Sequence, residues 1–207
     1  MRLDSEVARK KFESEVETLE RHSIGLRQRG CWIFKTEFPI IDVVLVPKHP
    51  VQLLTPMAVP AGPGGLSIVL KQNPLPFLSS RPFGVRIGLD DFDQRAPSVS
   101  FRDPWTWEPL DYATNPNCFN GYHIDDQNRK VPVLLIHPKS KLPFLCMRGI
   151  REYHEHPQHT GDDWMLYRGK MGVFGLLFNI LDACIDRVKP SLILQGLGIA
   201  CSMMPGE

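Results

Sequence analysis

Val7, Phe12, Val16, Leu19 and Leu26 recur at helical spacing among charged neighbours, and this narrow apolar stripe predicts an amphipathic helix over residues 5–29. Asp4 or Ser5 can cap its start, and Gly30 stops it. The pattern then changes. Residues 31–38 and 40–46 are β-branched and aromatic, are broken at Pro39 and closed by Pro47, and read as strands. Residues 51–54 and 67–71 form a second pair around a turn-rich run, Pro60-Ala61-Gly62-Pro63-Gly64-Gly65. That run lacks the Gly-Lys-Ser/Thr ending of a phosphate loop and reads as a hairpin connection. In residues 83–89, Phe83, Val85, Ile87 and Leu89 alternate with Gly84, Arg86 and Gly88, as they do in a half-buried strand.

Residues 98–101 are extended after Pro97, and residues 102–130 follow as a polar and aromatic stretch with neither period. A loop that long inside a compact domain is functional or an insertion. Its Trp105 and Trp107, with Pro104 and Pro109, could form a partner-binding edge, but the preferred reading is aromatic packing of that insertion on the domain. Residues 131–136 form a buried-type strand and 144–147 a short one. Val173, Leu176, Leu177, Ile180, Leu181 and Cys184 define a helix over residues 171–187, ended by Pro190. Helix, antiparallel sheet, irregular centre and helix make an α+β order in one domain over residues 1–207.

Composition narrows the function. The 207 residues are 43% hydrophobic and 23% charged with a formal net charge of +1, as in an ordinary soluble domain. No basic run marks a nucleic-acid surface, and no nucleic-acid partner is expected. The charged N-terminus is not a secretory signal. The uncharged residues 191–204 are shorter than the ~18 residues of a membrane span, so no membrane partner is expected either. Five scattered cysteines, never spaced C-x-x-C, predict neither a disulfide framework nor a treble-clef zinc site. A cytoplasmic location with reduced thiols follows.

Residues 137–164 carry the chemistry: His137-Pro138-Lys139, Cys146, Arg148, Arg151, Glu152, His154, Glu155, His156, His159, Asp162, Asp163 and Trp164. Four of the seven histidines lie here, and histidine both ligates metals and titrates near neutrality.

These residues, in this order, resemble a ubiquitin-conjugating enzyme. Residues 83–92 followed by Ala96-Pro97-Ser98-Val99-Ser100-Phe101 resemble that family's strand, proline turn and strand. His137-Pro138-Lys139 resembles its His-Pro-Asn motif, and Cys146 stands near the position of its thioester cysteine. Trp164 and the helix after it resemble the tryptophan and helix that follow. The resemblance implies an antiparallel sheet flanked by an N-terminal helix and the 171–187 helix, without the family's two further C-terminal helices. Lys139 departs from the motif's asparagine, residues 102–130 are inserted between central strands, and the interval from Cys146 to Trp164 is swollen by histidines. That cluster resembles a bacterial family described as a metal-binding domain and named for a Cys-Glu-His-His pattern. The match is Cys146, Glu152, His154 and either His156 or His159. That family is associated with ubiquitin-like modifiers and their activating enzymes.

Two readings follow. In the first, Cys146 accepts a ubiquitin-like protein from an activating enzyme and passes it to an amine of a protein substrate. The resemblance gives His137 and Lys139 to the catalytic site, with Arg148 and Arg151 also favouring the thiolate. Asp162 or Asp163 could ease deprotonation of an incoming lysine. In the second, zinc is bound. An extended segment points Glu152, His154 and His156 to one side, and Cys146 completes a tetrahedron. A thiolate closed inside such a site is a poor nucleophile, so Cys146 serves fully in only one of these roles. The enzyme is the preferred reading, with a zinc-binding adaptor as the alternative. Cys31, Cys118, Cys184 and Cys201 read as structural.

Overall fold

Asp4 caps the first helix as its sequence predicts, its carboxylate accepting from the amides of Glu6 (2.9 Å) and Val7 (3.4 Å). The computed structural model describes residues 4–46, 50–60, 66–79, 82–111, 122–124, 127–132, 134–159, 161–186, 192–193 and 202–203. Helix α1, Ser5–Arg21, and the short α2, Ser23–Gln28, replace the single expected helix. The break falls at His22, whose ring stacks 4.4 Å from that of Phe174. Gly30 ends the pair with φ +88°, a conformation that costs glycine little. Of the predicted stripe, Phe12, Leu19 and Leu26 are buried, Val16 packs on the core and Val7 is exposed.

The main sheet is antiparallel with order β1-β2-β5-β6: Cys31–Glu37, Ile40–Leu45, Phe83–Gly88 and Ser98–Arg102. The expected neighbours β5 and β6 pair from Gly84↔Arg102 to Gly88↔Ser98. Strand alternation divides the two faces. Ile41, Val43, Leu45, Val85, Ile87, Val99 and Phe101 join one core with Leu176, Leu177 and Ile180 of the last helix. Burying each such side chain is worth about 1.5–3 kcal/mol. On the opposite face Arg86 grips the buried Asp42 bidentately, at 2.8 and 2.9 Å. Trp107 covers that face, stacked 5.0 Å from Phe34. Its partner in the expectation, Trp105, does not pack: it is 74% exposed.

Between β2 and β5 the long strands β3, Pro50–Pro60, and β4, Leu66–Ser79, pair with each other rather than joining this sheet. The 131–136 expectation divides. Strand β8, Lys130–Pro132, pairs with β7, Tyr122–Ile124, whereas β9, Leu134–Ile136, pairs with β10, Pro143–Leu145. After Arg151–His154, here α3, comes the last helix α4, Val173–Leu181, continued by a π-helical turn over Asp182–Asp186. Strands β11, Leu192–Ile193, and β12, Ser202–Met203, extend the β3–β4 sheet. Among the described residues no helix follows the π turn, and none is long and apolar enough to cross a membrane. Cys118 and Cys201 lie outside the described residues, and Cys31 and Cys184 are buried, with burial pushing both thiols up to about 12.

Helix α4 begins at Val173, the first residue of its apolar period, and the amide there is satisfied from a distance in sequence. The Glu15 carboxylate, on α1, accepts from the amide of Val173 at 2.8 Å. A carboxylate there also meets the positive end of the helix dipole. Glu15→Ala is expected to cost about 1 kcal/mol, as other lost caps do. Thermal melting would register this as a drop of about 2–4 °C.

The Cys146–His159 site

Strands β9 and β10 form a hairpin whose turn begins at His137. The His137 amide donates to Leu142 O (2.9 Å), and Lys141 N donates back to His137 O (2.9 Å). His137 Nδ1 accepts from the amides of Lys139 and Ser140, each at 3.3 Å. An acceptor Nδ1 puts the ring hydrogen on Nε2, which is buried with no hydrogen-bond partner. The ring meets Phe144 edge to face, with centroids 5.2 Å apart. His137 therefore shapes the turn, and Lys139 is exposed upon it.

Cys146 follows β10 directly and is exposed. Its Sγ lies 3.2 Å from Nε2 of His159. Desolvation pushes the thiol above its ordinary pKa, and among the described residues no charged side chain offsets that. The cations expected to favour the thiolate are occupied elsewhere. Arg148 reaches the Tyr153 hydroxyl (3.4 Å) and Asp162 (3.5 Å). Arg151 donates to Ala96 O (3.1 Å), Asp90 Oδ2 (2.9 Å) and Asp90 O (3.0 Å). His159 is the polar group in contact with the sulfur, and a thiol proton has a ring nitrogen to go to.

The expectation of an extended Glu152–His156 segment is corrected. Arg151–His154 is a helical turn, and residues two apart on a helix differ by about 200° around its axis. Glu152 consequently turns to the sheet, where its carboxylate accepts from Ser98 Oγ and, at 3.0 Å, from Val99 N. Tyr153 points inward and is buried. His154 Nδ1 lies 2.7 Å from Asp162 O, so Nδ1 donates, and the buried Nε2 has no hydrogen-bond partner among the described residues. His156 Nδ1 accepts from Gln158 N at 3.2 Å, and its ring stacks on Phe144. Among the described residues no three His, Cys, Asp or Glu side chains converge as a metal site. The donor set Cys146, Glu152 and His154 does not fit closed zinc coordination, because Glu152 is held by β6.

Two residues matter here that sequence reasoning missed. Tyr153 stacks on His159, with centroids 3.9 Å apart and planes 19° apart, and donates its hydroxyl to Asp162 Oδ2 at 2.6 Å. Asp93 ties the segment to α1: its backbone carbonyl accepts from the Trp164 indole (2.8 Å), and its carboxylate pairs with Lys11 and Arg168. Burial alone would raise the Asp93 pKa, but the bonds from Lys11 and Arg168 outweigh it and hold the carboxyl below its usual range. A depressed folded pKa stabilises the fold above the unfolded value, and the benefit is lost as pH falls through the folded one. In urea titrations at stepped pH, stability is expected to fall below pH ~4, and less steeply in Asp93→Asn.

Residues 127–191, which include the Cys146–His159 pair, Tyr153 and Asp162, match the model of the Y4jH-like family. The chain is also 27% identical over 199 residues to "Uncharacterized protein y4jH" of Sinorhizobium fredii (strain NBRC 101917 / NGR234), covering 88% of this chain and 82% of that protein. Neither description mentions conjugation or a metal.

Proposed function

We propose that this chain is an acyl carrier with a ubiquitin-conjugating-enzyme-like fold, and that Cys146 is its nucleophile. The observation that carries the reading is an exposed thiol 3.2 Å from an imidazole nitrogen, directly after the hairpin turned by His137-Pro138. The β5–β6 pairing across Pro97 and the helix after Trp164 support the fold. Cys146 Sγ attacks the thioester carbonyl that joins a ubiquitin-like protein to its activating enzyme. A new S–C bond forms, the activating enzyme's thiolate leaves, and His159 Nε2 takes the Cys146 proton and returns it to that leaving thiolate. An amine of a protein substrate then attacks the same carbonyl. The C–N bond forms, Cys146 departs as a thiolate, and the amine's surplus proton passes to it or to water.

Lys139 is an exposed cation on the adjoining turn, as is Lys141, and a point charge there can meet the developing oxyanion. Partial desolvation of the sulfur works against ionisation, which makes the His159 contact the means of removing the proton. The test is incubation with an activating enzyme, a ubiquitin-like protein and ATP, followed by electrophoresis with and without thiol reductant. A reductant-labile adduct is expected, and its absence with an otherwise active partner set defeats the reading.

The zinc-binding adaptor keeps one supporting feature. A Nδ1–H held by a carbonyl with a free Nε2, as in His154, is how ligating histidines are oriented. Zinc retained by the purified chain and lost on His154→Ala would favour it.

A further inference from the structure

We infer that Tyr153 is the positioning residue of the Cys146–His159 pair, its ring being the platform that fixes the His159 imidazole against the thiol. This rests on the reading of Cys146 as a nucleophile. His159 belongs to a run of tight turns, with its amide on His156 O (3.0 Å) and its carbonyl accepting from Asp162 N (3.3 Å). Those bonds hold its backbone and leave the two side-chain torsions free. Holding Nε2 at bonding distance from sulfur therefore needs a surface against the ring, and Tyr153 supplies it: parallel, 3.9 Å away and itself only 7% exposed. The next ring, His156, is 5.3 Å away and tilted by 47°, too oblique to serve.

The platform is itself anchored. Tyr153 lies on α3, which is stitched to the β5–β6 connection by Arg151 and to β6 by Glu152. Its hydroxyl donates to Asp162 Oδ2, and Arg148 stands within 3.5 Å of both oxygens. The hydroxyl's pKa is raised, first by burial and then by the bond to Asp162, so at neutral pH it stays a donor. Among the described residues, the titratable and charged groups facing the pair and its platform are Arg148, His154, His156 and Asp162. A proton passes between sulfur and nitrogen only in good alignment, and misplacements of about 0.5 Å are enough to matter.

The experiment is iodoacetamide alkylation of the folded full-length chain from mildly acid to alkaline pH, read at the Cys146 peptide by mass spectrometry. His159→Ala should remove the proton acceptor that works against the sulfur's desolvation, slowing alkylation at neutral pH by about tenfold, the effect of one unit of thiol pKa. Tyr153→Leu should do the same and change nothing further in the His159→Ala background. Tyr153→Phe, which keeps the ring, should restore most of the wild-type profile. Asp162→Ala tests the anchor without emptying the core: it should weaken the reactivity at neutral pH in the wild type and less so in Tyr153→Phe, where only its charge near His159 is left to lose.

A wild-type pH profile in Tyr153→Leu would overturn the inference. So would a Tyr153→Leu effect that persists without His159, a His159→Ala profile matching wild type, or an Asp162→Ala effect undiminished in Tyr153→Phe. Alkylation needs no modifier, so failure of the adduct assay alone defeats the acyl-carrier reading and leaves this result standing.

Discussion

Cys146→Ala is expected to abolish the reductant-labile adduct completely, while Cys146→Ser retains a slower-forming oxyester that reductant does not cleave. The side-chain change is one atom, but the chemistry differs. A thiol is partly ionised near neutrality and leaves well, whereas a serine hydroxyl needs a strong base and gives an ester of a poorer leaving group. His159→Ala keeps the nucleophile and removes its proton acceptor. General-base contributions are typically about 10²–10⁴-fold. A loss near the lower end is expected, because a thiol loses its proton more readily than a hydroxyl does. Single-turnover adduct formation measures both effects on one gel. An unchanged rate in His159→Ala would reduce the 3.2 Å contact to packing.

Phe144→Ala is expected to be the most destabilising single change near the site. Phe144 is 1% exposed, sits in β10 two positions before Cys146, and packs edge to face with His137 and stacked with His156. Removing a buried phenylalanine ring costs about 3–5 kcal/mol, part lost transfer energy and part residual cavity. In a chain of this size the melting temperature should drop by roughly 10 °C. Phe144→Leu leaves most of the volume and should cost less than ~1.5 kcal/mol. Urea unfolding compares the two. Equal costs would mean that the site collapses around the lost ring, so that the aromatic contacts to the two histidines carry nothing.

Local pattern was legible. Alternation at Phe83, Val85 and Ile87 marked β5, Asp4 and Gly30 marked the ends of the first helical segment, and the Val173–Leu181 stripe marked α4, because each depends on residues close in sequence. The crowding of His, Cys and Asp in residues 137–164 likewise located the site. The same local reasoning failed at Glu152. Spacing by two means one side of a strand but opposite sides of a helical turn, and no nearby residue distinguishes those conformations. What selected the helix was tertiary: Arg151 N bonds to Pro97 O and the Glu152 carboxylate to Ser98 and Val99, more than fifty positions away.

The sequence by itself determined the strands of the main sheet, the first and last helical segments, the α+β order and a short list of reactive side chains, because periodicity and capping are near-neighbour properties. Only the tertiary structure decided which members of that list meet. It joined Cys146 to His159 across thirteen positions and occupied Arg148 and Arg151 elsewhere. It also brought Tyr153, which carries no reactive signature, beneath the imidazole. The physical reason is that a side chain's chemistry is intrinsic, whereas its partner is chosen by how the backbone turns and by which polar groups must be satisfied once water is excluded.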